Sequence, residues 1–88
     1  MAHDSEEMAE RQKVLFEKAR KGVLKHLNEN GGKLNMGELH DFSMNRYLIQ
    51  HQGFSRMMET FVNEGLVKYD EANMMTTITE AGRSFANS

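Results

Sequence analysis

The sequence predicts a mainly helical domain with one small antiparallel hairpin, an α+β fold. The observations that predict it lie close together, in residues 53–83. Phe54, Met57, Met58, Phe61 and Val62 recur at the spacing of one helix face. Gly65 follows, the residue type that most readily takes the left-handed conformation closing a helix. Residues 66–69 and 74–79 then read as two strands, the second rich in β-branched residues, around the polar turn 70–73.

Upstream, residues 5–28 form the longest helical pattern. Ser5 is placed to cap it, and Glu6 and Glu7 fall in its first turn, where the helix dipole favours carboxylates. Met8, Leu15, Phe16, Ala19, Val23, Leu24 and Leu27 form its apolar stripe, and Glu17 and Lys21 an i,i+4 ion pair. Such a helix measures about 36 Å, longer than a compact core of this size covers. Residues 1–13 therefore read as a projecting arm, for dimerisation or simply solvated. Charge is segregated along the helix: Asp4, Glu6, Glu7 and Glu10 come first, and the middle is basic. Asn30, Gly31 and Gly32 stop it, and Lys33, Leu34 and Asn35 make a minimal strand. Asn35 with Glu38 three positions on starts a short helix, with Met36, Leu39 and Phe42 or Ser43 inward. Residues 44–52 read two ways, as a turn or as the start of one helix over 44–64. Thr79 is placed to cap a last helix, with Ala81, Phe85 and Ala86 packing back on the core.

The chain has 88 residues, room for a single domain over 1–88, and buries only about 60–65% of its unfolded surface, so association would help it. It has no cysteine, hence no disulfide and no cysteine-based zinc site, which fits a reducing, cytoplasmic setting. No apolar run approaches the roughly 20 residues of a membrane span, and the acidic start is unlike a secretory signal. The net charge is −2, so any basic surface for nucleic acid must be local.

Helix, glycine stop and hairpin in this order make up a winged helix. Ser55-Arg56, Phe61 and Glu64-Gly65-Leu66-Val67 resemble the recognition helix and exit turn of winged helix-turn-helix transcription regulators. Ile78-Thr79-Glu80-Ala81-Gly82-Arg83 is similar to the sequence that ends the wing in the multiple-antibiotic-resistance-regulator type. The resemblance implies a turn at 47–49, a recognition helix from Gln50, and a first strand that pairs with the wing. It also implies sequence-specific binding of double-stranded DNA, as a homodimer, in transcriptional regulation. The outward stripe of the recognition helix is then Gln52, Ser55, Arg56 and Glu59, side chains able to reach base edges, with Gly53 allowing close backbone approach. Arg46 and Lys68 are further DNA-contact candidates, Lys33 stands near the same face, and Met8, Leu15 and Phe16 are the dimerisation candidates. The hairpin tip, residues 69–73, is acidic, unlike a wing that grips DNA. Together with eight methionines this favours an alternative: a winged helix that docks proteins without touching DNA.

Enzyme chemistry finds no footing. His3, His26, His40 and His51 form no zinc motif, Gly31-Gly32 is no phosphate loop, and no cofactor or metal is expected. His40 and Asp41 read as solvent-facing polar residues.

Overall fold

The computed structural model describes residues 2–88, with side chains from Glu10 onward. Its elements are α1 (Ala2–Glu29), β1 (Lys33–Asn35), α2 (Met36–Tyr47), α3 (His51–Asn63), β2 (Val67–Asp70), β3 (Met75–Ile78) and α4 (Glu80–Ala86). Four helices surround a three-stranded antiparallel sheet of order β1-β3-β2, as expected of the α+β class.

Helix α1 starts upstream of Ser5, which therefore does not cap it. The Met8 side chain lies outside the described residues. Ala19, Val23, Leu24 and Leu27 carry the helix into the core, where they meet Leu39 of α2, Phe54, Met57 and Phe61 of α3, and Ala86 of α4. Phe16 is half-buried against that core, whereas Leu15 stays 63% exposed and so falls outside the buried stripe. The expected Glu17–Lys21 pair does not form. Glu17 instead takes Arg20 at 2.9 Å, because Arg20 lies under α3 and α4, and the Lys21 ammonium donates to the Ser88 carbonyl. His26 stacks on Phe42 with ring centroids 3.8 Å apart, tying α1 to α2.

Asn35 caps α2 by accepting from the Gly37 N–H at 2.7 Å. The helix inward side is Leu39 and Ser43. It closes on Leu48, which takes φ +57 while its N–H bonds the Met44 carbonyl, and Ile49 N–H reaches the Ser43 carbonyl at 3.2 Å. That closure excludes one continuous helix over 44–64 and places the turn at residues 48–50. α3 buries Phe54, Met57, Met58 and Phe61. Val62, expected inside, is 48% exposed, because no neighbouring element extends far enough to cover it.

Gly65 at φ +71 ends α3, and Leu66 N–H bonds the Phe61 carbonyl at 2.8 Å. In the sheet, Leu34, Thr76 and Tyr69 form an inward row, while Lys33, Thr77 and Lys68 form an outward one. Met74, expected in the strand, sits in the hairpin turn at φ +54, exposed. Thr79 caps α4 by accepting from Gly82 N–H at 3.0 Å. Ala86 packs inward, but Ala81, expected to do the same, is exposed on the solvent side of this short helix. No helix among the described residues is long and apolar enough to cross a membrane.

Candidate nucleic-acid interface and the adjoining groove

Burial of Phe54, Met57, Met58 and Phe61 fixes the rotation of α3, and Gln52, Ser55, Arg56 and Glu59 stand on its exposed side. These four are therefore brought together, yet Arg56 falls on one flank of the helix, Ser55 and Glu59 on the other, and Gln52 lines neither concavity. Arg56 lines a shallow cleft toward α1 with Gln12, Lys13, Phe16 and Gly53, of about 390 Å³. Ser55 and Glu59 line a larger groove on the other flank, about 830 Å³, between α2, α3 and the β2–β3 hairpin.

The two flanks differ in charge. The α1 cleft carries the cations Lys13 and Arg56 and no carboxylate. The groove carries Asp41, Glu59 and Glu71 and no lysine or arginine. Its apolar lining is Met36, Phe54, Met58, Val62 and Met74, with His40 and His51 among them. His40 thus does not simply face solvent: its ring sits edge-on to Phe54 at 5.0 Å and lies 5.7 Å from His51. Its Nε2 is buried without a hydrogen-bond partner among the described residues.

The remaining sequence candidates stand apart. Lys68 projects from the outward sheet face with Lys33, whereas the hairpin residues that border the groove are Tyr69, Glu71 and Met74. Arg46 lies over the Tyr47 ring at 5.7 Å and lines neither the cleft nor the groove. Gly53 is half-buried, and a Cβ there would come 3.1 Å from the Ile49 side chain, so its smallness serves the α2–α3 turn. At the hairpin tip, a hydrogen bond from the Asn73 side chain holds the Asp70 carboxyl below its ordinary range, with help from the Ala72 N–H and from Lys33. The tip is thus firmly anionic.

Lys13 is the contributor that sequence reading missed. Its place beside Arg56 depends on how α1 crosses α3, and no spacing within α1 carries that information. Among the described residues no group of three or more histidine, aspartate or glutamate side chains is arranged to hold a metal ion. No protein family, curated protein or solved structure matches the chain.

Proposed function

We propose that the chain is a winged helix-turn-helix domain that binds double-stranded DNA through the N-terminal half of α3, in transcriptional regulation. The observation that carries this reading is the exposed face of that half-helix. Gln52, Ser55 and Arg56 stand out from a helix whose other side is buried, one short turn after α2, with Lys13 on the flank. Arginine and glutamine are the side chains that pair bidentately with guanine and adenine in a major groove. The β1-β3-β2 sheet, with β2 lying beside α3, fits the wing of that fold.

The test is a DNA shift assay over a salt series with the full chain. Arg56→Ala is expected to weaken binding about tenfold or more, since one bidentate pair is worth about 1–3 kcal/mol. The helical content should be unchanged, because Arg56 is exposed. No binding at low salt, where attraction to phosphate is strongest, would remove the proposal.

A second reading rests on the groove. Its apolar lining, three carboxylates and lack of lysine or arginine suit a protein-docking module that takes an apolar segment bearing cations. Under that reading the shift assay stays blank for every variant.

A further inference from the structure

The groove beside α3 is open, apolar and anionic at once. Val62 and Met74 on its lining are 48% and 52% exposed, two large apolar side chains left open to solvent in one concavity. Its charged residues, Asp41, Glu59 and Glu71, are all acidic. The complement is a helix with a short apolar patch flanked by cations.

The outward side of α1 is such a helix. Val14 and Leu15 are 66% and 63% exposed. Arg11 lies one turn before Leu15 and Lys18 one turn after Val14, both exposed and on the same side, and the Glu10 carboxylate also borders the patch. Helix α1 has 28 residues, about 42 Å of helix, in a molecule whose extents are 47 × 26 × 22 Å. Its first half therefore outruns the body it packs on. Within one chain this patch cannot fill the groove, because α1 already lies along the other flank of α3, at Gly53 and Arg56.

We propose that α1 of a second copy docks in this groove, with Val14 and Leu15 over Val62 and Met74 and with Arg11 and Lys18 against the rim carboxylates. The inference rests on the groove that the protein-docking reading uses and not on DNA contact. A docked helix would overlie Ser55 and Glu59, so a chain engaged in this way does not present α3 to DNA. If both copies exchange helices the contact closes on itself as a dimer; if not, it propagates with concentration.

Sedimentation equilibrium of the full chain, over a concentration range at low and high salt, tests this. Reversible association that weakens with salt is expected, since exposed charges are screened beyond about 10 Å at 0.1 M. Two double variants sharpen the test. Glu59→Lys with Glu71→Lys makes the groove cationic, and Arg11→Glu with Lys18→Glu makes the α1 patch anionic. Each variant alone carries like charges on both surfaces and is expected to be monomeric. Mixed, the cationic groove of one meets the anionic helix of the other, and association should return. All four sites are exposed, so both variants should keep the circular dichroism spectrum of the parent. A parent chain monomeric at about millimolar concentration overturns the proposal. So does association that either variant leaves unchanged, or a mixture that stays monomeric. The DNA shift assay reads the α3 proposal separately, so the two can fail independently.

Discussion

Arg20 is a cation from the basic middle of α1 that folding takes inside. It is 5% exposed, with its guanidinium 5.5 Å from the Phe61 ring centre and 5.2 Å from that of Phe85. It donates to Glu17 at 2.9 and 3.1 Å and to Glu64 at 2.7 Å, so one side chain joins α1, the end of α3 and α4. Burial works against its charge, but the hydrogen bonds to Glu64 and Glu17 outweigh this and hold its pKa above the ordinary value. Both carboxylates are about half exposed and can return to water if the arginine is lost. What Arg20 adds is then mainly packing between two aromatic rings. Arg20→Ala should cost about 2–3 kcal/mol in urea unfolding by leaving that space empty. Arg20→Met, which refills it, should stay within about 1 kcal/mol of the parent. Equal losses for the two variants would show that the ion pairs matter more than the packing. Gly82 makes a second argument at this scale. A Cβ there would meet the Leu66 carbonyl oxygen at 2.1 Å, and that oxygen already accepts from Thr79 N–H at 3.0 Å. Gly82→Ala must therefore push α4 away from Leu66, a loss of about 1–3 kcal/mol in the same unfolding assay. The spacing from Thr79 to Gly82 is readable in the sequence; the carbonyl that makes glycine necessary is not.

At the level of elements, the order of helices and strands was legible because each announces itself locally. Gly31, Gly32 and Gly65 all take positive φ and stop their helices, and Asn35 and Thr79 cap the next ones. The α2–α3 connection was ambiguous because its helix stop is Leu48, a residue with no stop signal. Leucine at φ +57 is strained, and this one is 83% exposed, so little packing compensates. Leu48→Gly should therefore stabilise the domain by about 0.5–1 kcal/mol, the relief of left-handed strain less the entropy of a freer unfolded chain. A lower melting temperature for this variant would mean that Leu48 makes a contact worth more than its strain. The division of the candidate site had no local signal either. Arg56 and Glu59 belong to one polar stripe in sequence, and only the positions of α1 and the hairpin send them to opposite flanks. Val62 was misassigned for the same reason: helical spacing gives the direction of a side chain but not whether anything lies there to cover it.

Over the whole molecule the net charge of −2 hides a separation. Arg11, Lys18 and Lys25 lie along the outward side of α1, while Asp41, Glu59 and Glu71 line the groove. Helix α3 runs between a cationic cleft and an anionic groove, so its two flanks should act oppositely on DNA. Each phosphate neutralised contributes about 0.9 to the slope of log affinity against log salt. Lys13→Ala removes a cation from the α1 flank, and it is expected to weaken DNA binding for all sequences alike and to flatten that slope by up to this amount. Glu59→Gln removes a carboxylate from the groove flank and should tighten binding, with the largest gain at low salt, where repulsion is least screened. Neither variant should change which base pair is preferred at a position that Arg56 contacts, because neither alters Arg56 itself. The measurement is a shift assay of parent and both variants on one duplex and on a scrambled duplex, at several salt concentrations. If Glu59→Gln tightens binding while Lys13→Ala leaves it unchanged, DNA lies over the groove and not along the cleft. The contact would then have to be rebuilt on the hairpin side of α3, where it would compete directly with a docked helix.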